Sequence, residues 1–399
     1  MQLAWTLNRF TQNSSLIDLY TSMKCNICGT PSSAPIFEST SESSITSLCE
    51  LRSLKTKVWF CENCLQLQSP AMVDNIEYYA EDYRILLNHE EEDQIYEAFE
   101  DAIVYRTDHQ TNVLKQKVDL SKLERVLDYG CAKSSMTKKL AATSPTTIFS
   151  LFDVSDMYVE YWKKLPSISG WAINETPAEW SNSFDMVTSY FSMEHIPAPV
   201  PAVEHIYSLL KEGGLFYGVV PNVLTNRADF IVVDHVNHFT ESSLTVLLGN
   251  AGFGDIDIDS GSHRGALVFT ARKNGTKASG LEISRIREDV KDVANFWANL
   301  NKNIRKAEES AVAPFAIYGS GFYGAYIYSA LAKKNHVKCF IDRSPFQQGK
   351  RIFDVTVIAP EMIPEDVKSV FVGLNPDIAL KVVSGLPKMY DGLDFHYLK

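Results

Sequence analysis

Residues 125–130 read Arg125-Val126-Leu127-Asp128-Tyr129-Gly130, an apolar strand pattern with an acid near its end and a glycine directly after it. Glycine allows a sharp turn and a close approach of the backbone to a ligand. The helix predicted at 136–142 would offer its N-terminal amides at the same place. The next predicted strand, at 147–153, ends at Asp153, whose carboxylate can accept both hydroxyls of a ribose. These features predict a nucleoside site at the ends of two strands.

The nucleoside that fits this turn is S-adenosylmethionine rather than a dinucleotide. The turn has no Gly-x-Gly-x-x-Gly pattern to hold a pyrophosphate. The Asp128 carboxylate would lie near the charged amino-acid end of the cofactor. The predicted cofactor contacts lie in this turn and directly after the second strand: Asp128, Gly130, Ala132, Asp153 and Val154.

Alternating strand and helix patterns along the rest of the chain predict an α/β fold with parallel sheets. An amphipathic helix is predicted near 281–307, and a second strand–glycine turn–helix–strand pattern runs from Phe315 to Asp342. The expected organisation is an N-terminal zinc module, a Rossmann-like domain that holds the nucleoside site and a smaller C-terminal Rossmann-like domain. The predicted boundaries are 21–72 for the zinc module, 73–118 for a helical segment, 119–275 for the cofactor domain, 280–312 for a connecting helix and 313–399 for the C-terminal domain.

Two Cys-x-x-Cys pairs near the N-terminus predict a tetrahedral metal site. Cys25 and Cys28 form the first pair, and Cys61 and Cys64 form the second. Four thiolates leave no open coordination position, so the predicted zinc ion is structural and not catalytic. A disulfide framework is disfavoured, because the 399 residues contain only seven cysteines and no export signal is visible. The Ser-rich stretch 39–47 between the pairs is expected to be exposed.

The charge and hydropathy of the chain limit the classes of partner that the protein is expected to bind. The net charge of −11 argues against a nucleic-acid backbone or an anionic membrane as the main partner. No apolar run is long enough to span a bilayer, and residues 1–24 do not form a convincing signal peptide. The expected substrate is therefore a small molecule, and neither nucleic acid nor membrane is expected as a partner. The expected location of the protein is the cytoplasm.

Further motifs narrow the prediction through a resemblance. The turn at 126–130, the stretch Met193-Glu194-His195-Ile196-Pro197 and the stretch Leu209-Leu210-Lys211-Glu212-Gly213-Gly214 resemble class I methyltransferases in order and spacing. With the cysteine pairs and the C-terminal unit, the chain from about Cys25 onward resembles three-domain C-methyltransferases of nucleotide-linked keto-sugars. The segment at 341–350 is particularly similar to the C-terminal domain of that family. The resemblance implies carbon methylation of a nucleotide sugar.

The resemblance also implies catalytic residues, with departures from the family pattern. The family carries Tyr-x-Glu-His-x-x-Tyr-Phe where this chain reads Val232-Val233-Asp234-His235-Val236-Asn237-His238-Phe239. His235 is the expected base, with Asp234 or His195 orienting it or relaying its proton. Tyr79 and Tyr83 are expected to close over the substrate, and His238 to contact it. Ser134 stands where the cofactor loop of the family carries a further glycine.

Several alternatives remain open from the sequence. The acceptor atom could be oxygen or nitrogen, with the same histidine deprotonating it. The turn Gly319-Ser320-Gly321-Phe322-Tyr323-Gly324, with Asp342 after the next strand, matches a dinucleotide fingerprint and would suit an NAD-dependent oxidoreductase. Ser134 and Val232 would suit a non-catalytic scaffold. The segment 234–238 also has the spacing of a metal-ligand set or of a structural turn, and Tyr79 and Tyr83 would equally suit a core.

Overall fold

The computed structural model describes residues 23–85, 89–99, 102–275 and 283–399. The expectation about a signal peptide falls on residues 1–24 and so lies almost entirely outside the described residues. No helix in the described ranges is both long and apolar enough to cross a membrane. The described chain divides into two compact units, the first formed by residues up to Ile36, Lys57–Asp229 and Asp234–Asp289, and the second by Phe37–Thr56, Phe230–Val233 and Val290–Lys399.

The first unit is built on a seven-stranded sheet. The strands, numbered 1 to 7 along the chain, are Arg125–Tyr129, Ile148–Asp153, Ile168–Ile173, Phe184–Tyr190, Leu210–Pro221, Gly254–Asp259 and Ala266–Arg272. Their spatial order is 3-2-1-4-5-7-6. Strands 1 to 5 are parallel to one another, whereas strand 7 is antiparallel to strands 5 and 6. Strand 1 is buried from Val126 onward, as expected for a central parallel strand covered on both faces.

Helices flank this sheet where the sequence predicted them, with ends that differ by a few residues. Pro199 opens one helix at the position where its missing N–H costs nothing, and Thr240 caps another through a reciprocal pair of hydrogen bonds with Ser243. The longer helices of the first unit are Arg106–Lys117, Ser135–Thr143, Pro199–Leu209 and Glu241–Asn250.

The segment predicted as helical at 73–118 is only partly so. A short helix at Asn75–Glu77 continues into a π-helical turn at Tyr78–Asp82, and Arg106–Lys117 is helical. Between them, Ile95–Ala98 and Ile103–Tyr105 form an antiparallel hairpin where helix was expected. The β-branched and aromatic residues of these two stretches favour a strand, and this local preference outweighed the helical pattern around them.

A small sheet connects the cysteine pairs to the segment that carries His235. Leu67–Gln68, which begins three residues after Cys64, pairs antiparallel with Lys57–Phe60 on one side. On its other side it pairs antiparallel with Asn237–His238. The strands around the second cysteine pair therefore fix the backbone next to the predicted catalytic histidine.

The second unit has a six-stranded, mostly parallel sheet. The strands lie in the order Arg351–Ile352, Val355–Ile358, Val337–Ile341, Phe315–Tyr318, Ser369–Val372, Asp394–Tyr397, with helices at Phe322–Ala330 and Pro376–Ser384. A helix at Ile283–Ser310 lies where the sequence predicts one at 280–312.

The glycine turn of the second unit has a packing explanation. A Cβ atom at Gly324 would lie 2.0 Å from the Gly319 carbonyl oxygen, and one at Gly319 would lie 2.4 Å from the Gly373 carbonyl oxygen. Asp342, the acid that would bind a ribose in a dinucleotide site, already accepts hydrogen bonds from the backbone N–H and the hydroxyl of Ser320 and from the N–H of Ser344. Close packing of the backbone therefore accounts for the glycines at 319 and 324 in the fingerprint spacing.

Candidate active site

A cavity opens at the carboxyl ends of strands 1 and 2. It is lined by all five residues predicted to contact the cofactor: Asp128, Gly130, Ala132, Asp153 and Val154. Tyr79, Tyr83 and His195 line the same cavity. The structure thus brings together the cofactor-binding turn, two of the three predicted substrate contacts and one of the three predicted catalytic residues.

The turn after strand 1 requires glycine at position 130, because of its backbone conformation and the close approach of Ser192. Gly130 has φ +72°, and a Cβ atom there would lie 2.0 Å from the hydroxyl oxygen of Ser192. After the turn, the N–H of Ala132 donates to one carboxylate oxygen of Asp153 at 2.7 Å, and the N–H of Ser155 donates to the other at 3.1 Å. Asp153 therefore holds the turn in place at the cavity wall, and each of its oxygens keeps further lone pairs for a ribose.

Asp128 anchors the loop that follows the turn. Its carboxylate accepts hydrogen bonds from the hydroxyls of Ser134 and Thr137 at 3.0 and 2.8 Å, and the Thr188 hydroxyl lies at 3.4 Å. Burial raises the pKa of Asp128 to about 6. Ser134 occupies the left-handed backbone region with φ +59°, the conformation that a glycine adopts most easily. Ser134 thus meets the backbone requirement of the family's glycine and adds a bond to Asp128.

His235 is oriented by an acid that the sequence analysis did not identify. Its Nδ1 lies 2.6 Å from a carboxylate oxygen of Asp229, which has a fully buried side chain. Burial alone would lower the pKa of His235, but the hydrogen bond and charge of Asp229 outweigh it and raise the pKa to about 9. The predicted orienting residue, Asp234, instead lies against His195, with 3.8 Å between its carboxylate and the Nδ1 of that ring.

The hydrogen bonds of His195 determine its tautomer. The Tyr79 hydroxyl donates to the carbonyl oxygen of Asp234 at 2.7 Å, so its oxygen can only accept from the Nδ1–H of His195, also at 2.7 Å. His195 therefore carries its proton on Nδ1 and a lone pair on Nε2. Burial and the neighbouring His235 lower the pKa of His195 to about 4. The two imidazole rings meet edge to face, with centroids 4.7 Å apart.

The predicted substrate contact of His238 is wrong in this structure. His238 is fully buried, and its two ring nitrogens face the Ser69 hydroxyl at 2.9 Å and the second carboxylate oxygen of Asp229 at 3.3 Å. Both nitrogens thus serve internal contacts, and the ring does not line the cavity. His238 instead helps to hold Asp229 beneath His235.

The sequence analysis missed three residues of the site. Asp229 is an isolated acid in the apolar run 228–233, and that isolation was the available signal. Arg106 opens a helix, lines the cavity and places its guanidinium 4.8 Å from the ring centroid of Phe191. Glu194 is 1% exposed, and its Oε2 atom has no hydrogen-bond partner among the described residues. Burial raises the pKa of Glu194 to about 8.

The four cysteines of the two pairs meet in one cluster. Their sulfur atoms all lie within 4.8 Å of one another, with Cys25 and Cys64 3.3 Å apart and Cys28 and Cys61 3.5 Å apart. Four sulfurs at about 2.3 Å from a central zinc ion are separated by about 3.8 Å in a regular tetrahedron. The donor set and its spacing therefore fit a tetrahedral zinc ion.

A family model matches the part of the chain that contains the glycine turn, the acids at the ends of strands 1 and 2 and most of the sheet with strand order 3-2-1-4-5-7-6. Residues 96–258 match a family model described as a methyltransferase domain. The chain contains a class I S-adenosylmethionine-dependent methyltransferase domain. The prediction of a methyltransferase that uses S-adenosylmethionine is thereby confirmed. The match spans the cofactor turn and both histidines of the site.

Solved structures similar to this chain include two proteins from named bacteria and one carbon methyltransferase. A methyltransferase structure from Bacillus halodurans is 15% identical, covers 41% of this chain and 98% of its own, and has a TM-score of 0.34. One from Mesorhizobium loti is 15% identical over 41% and 97%, with a TM-score of 0.35. The CurJ carbon methyltransferase is 14% identical over 41% and 54%, with a TM-score of 0.35. These scores carry no conclusion about substrate. No curated protein sequence matches the chain.

Proposed function

We propose that the enzyme methylates a carbon atom next to a carbonyl group, in a nucleotide-linked keto-sugar. The observation that carries this proposal is the pair His195 and His235: His195 lines the cavity, and the ring of His235 meets it edge to face from behind the lining. Carbon is a nucleophile toward a methyl group only after a proton beside the carbonyl has been removed, so a C-methyltransferase needs a base at the cofactor pocket. The choice of a nucleotide sugar rests on the resemblance of the whole chain.

In this proposal His235 removes the proton. In the neutral form of the ring, whose share grows as the pH rises toward the pKa of about 9, Asp229 holds the Nδ1–H and Nε2 is left to accept the proton from the acceptor carbon. The buried carboxylate of Asp229 stabilises the imidazolium that results, and His238 holds the carboxylate from its other oxygen. When bound, S-adenosylmethionine supplies an electrophilic methyl group on a sulfonium.

His195 and the two tyrosines position the acceptor. The hydroxyl of Tyr79 fixes the His195 ring, and Tyr83 lies beside both, with ring centroids 5.1 Å from Tyr79 and 5.3 Å from His195. With an acceptor bound, this aromatic wall would shield it from water and align its carbonyl group with the base, which favours the reactive geometry. The π-helical turn at 78–82 sets the spacing of the two tyrosines.

We further propose that Cys25, Cys28, Cys61 and Cys64 hold a structural zinc ion. The sulfur spacing fits, and the segment around the pairs has short strands of two to four residues with little core of its own. The ion would stabilise the small sheet whose outer strand is Asn237–His238. Zinc in this position supports the catalytic segment and takes no part in the chemistry.

Proton exchange tests the proposed base without requiring methyl transfer. With S-adenosylhomocysteine bound, the enzyme should exchange the proton beside the carbonyl of a nucleotide-linked keto-sugar into deuterated water, as measured by nuclear magnetic resonance. His235→Asn should lower the exchange rate by at least about 100-fold, within the range of a lost general base. His336→Asn, in the second unit, is the matched control. If the exchange rate is unchanged in His235→Asn, His235 does not remove the proton. If the product carries its new methyl group on oxygen or nitrogen, the proposal of carbon methylation is wrong.

A further inference from the structure

Three buried side chains beside the cavity form a cluster with metal-ligand chemistry. One ligand atom from each of Glu194, His195 and His235 lies within 4.8 Å of the other two. The residues are 1%, 6% and 8% exposed. Two imidazoles and one carboxylate form a donor set that binds first-row transition-metal ions. The set differs from the segment 234–238 considered from the sequence, because it takes only His235 from that segment; Asp234 lies against Nδ1 of His195, and His238 contacts Ser69 and Asp229.

Both histidines present the same nitrogen for a ligand. The Nδ1–H of His235 donates to Asp229, and the Nδ1–H of His195 donates to Tyr79, so each ring keeps its Nε2 lone pair when neutral. The Tyr83 hydroxyl lies 3.5 Å from Nε2 of His195, a weak contact. Metal-binding histidines are characteristically held in this way, with the second ring nitrogen donating to a carboxylate or another oxygen.

Glu194 supplies the independent observation. Its Oε2 is buried without a hydrogen-bond partner in the part of the chain that the structure describes. A carboxylate oxygen in that position is rare in folded proteins, because burial without a partner costs free energy, and a bound ion is one established reason for it. The carboxylate belongs to the same three-residue turn as His195, Met193–His195. One turn of the chain therefore delivers two of the three ligands.

We propose that Glu194, His195 and His235 bind a divalent first-row transition-metal ion, and that the bound ion inhibits methyl transfer. Inhibition follows because the ion occupies the nitrogen of His235 that would take the proton; this part rests on the proposed function, whereas binding does not. Three protein ligands leave at least one coordination position open. Since His195 lines the cavity, a water molecule or an acceptor oxygen would fill that position.

Cobalt(II) is the probe for this site, with zinc retained at the four cysteines. Cobalt bound by nitrogen and oxygen gives visible d–d absorption without the thiolate charge-transfer band that it would give at the cysteine cluster. We expect one equivalent of cobalt to bind with the first kind of spectrum. Glu194→Gln should weaken this binding at least tenfold, and Glu204→Gln, an exposed glutamate of the helix Pro199–Leu209, should bind cobalt as the native chain does.

The outcomes separate the metal site from the proposed function. The proposed site is overturned if cobalt gives no nitrogen–oxygen spectrum. It is also overturned if Glu194→Gln binds cobalt as tightly as the native chain does, with unchanged S-adenosylhomocysteine binding showing that the variant is folded. His235→Asn provides a second test, since it should also weaken cobalt binding at least tenfold. Where cobalt binds, proton exchange of the keto-sugar should fall in proportion to the fraction of sites that cobalt occupies, and it should return when a chelator removes the cobalt. If exchange continues when cobalt fills every site, the bound ion does not inhibit the reaction. Binding is measured without turnover, so it stands even if no keto-sugar is accepted.

Discussion

At the scale of single residues, Ser134 shows how a departure from a family pattern is accommodated. The left-handed backbone costs a non-glycine residue roughly 1–2 kcal/mol. The hydroxyl of Ser134 compensates by donating to the buried Asp128 carboxylate, a bond worth roughly 1.5–3 kcal/mol because the acceptor is charged. The substitution that weakened the sequence prediction is thus consistent with an intact cofactor loop.

This balance predicts opposite behaviour for two replacements of Ser134. Ser134→Ala keeps the strained backbone and loses the bond, so the free energy of unfolding should fall by about 1–3 kcal/mol. Ser134→Gly loses the bond but also the strain, so its change should stay within about 1 kcal/mol. Urea denaturation measures both, with Ser135→Ala as the neighbouring control. An alanine variant as stable as the native chain would show that the bond to Asp128 contributes nothing.

Arg106 carries a prediction about the cofactor. Its guanidinium lines the cavity of a domain that binds a zwitterionic amino acid, so we expect it to bind the cofactor carboxylate. Arg106→Gln should weaken S-adenosylhomocysteine binding by about 10- to 100-fold, the equivalent of one charge-assisted hydrogen bond. Methylthioadenosine lacks the carboxylate, and its affinity should not change. Calorimetric titration of both ligands decides the matter, and equal losses for both would place Arg106 elsewhere in the pocket.

At the scale of elements, the sequence predicted what is local and repetitive. The strand at 125–129, its glycine turn and the acid after strand 2 all appear where the patterns placed them. The hairpin at 95–105 was missed, because two short β-favouring stretches sit inside a polar, Tyr-rich segment. The Asp229–His235 and Tyr79–His195 contacts were not predictable, since they depend on loop geometry and on residues up to 116 positions apart.

A single buried amide joins the elements that carry the two histidines. The side-chain oxygen of Asn237 accepts from Asn26, in the first cysteine pair, at 2.7 Å and from Gln66 at 3.2 Å. Its amide nitrogen donates to the carbonyls of Met193 and Ile196 at 3.0 and 2.8 Å. Asn237 is fully buried, and its bonds to Gln66, Met193 and Ile196 form away from water, whereas the bond from Asn26 is partly buried.

We therefore expect Asn237→Ala to be costly for both stability and catalysis. The variant leaves buried partners without hydrogen bonds, which should lower the free energy of unfolding by about 2–4 kcal/mol. Proton exchange should fall at least tenfold, because both histidine segments lose their common anchor, while S-adenosylhomocysteine binding should persist. Asn250→Ala, at the exposed end of a helix, is the control. Full exchange activity in Asn237→Ala would separate the network from catalysis.

At the scale of the whole molecule, the cysteine cluster belongs to the same compact unit as the methyltransferase sheet. Asn26 lies between Cys25 and Cys28, and Gln66 follows Cys64 by two residues. Both donate to Asn237, so the proposed zinc ion and the catalytic segment share one hydrogen-bond network. The cofactor turn has no part in this network, since its anchors are Asp128 and Asp153.

Loss of the zinc ion should therefore separate cofactor binding from catalysis. Cys61→Ser removes one of the four ligands, and metal analysis should show the zinc content of the purified protein falling. We expect a lower melting temperature and at least a tenfold loss of proton exchange, because ligand loss frees the strands that hold Asn237. S-adenosylhomocysteine should still bind, because the sheet and its glycine turn remain folded. Cys49→Ser changes a cysteine outside the cluster, and this variant should keep zinc and activity.

Two outcomes of Cys61→Ser would contradict the prediction. If the variant loses zinc but retains proton exchange and its melting curve, the cluster does not support the catalytic segment. If cofactor binding is lost as well, the metal stabilises the whole unit rather than this one network.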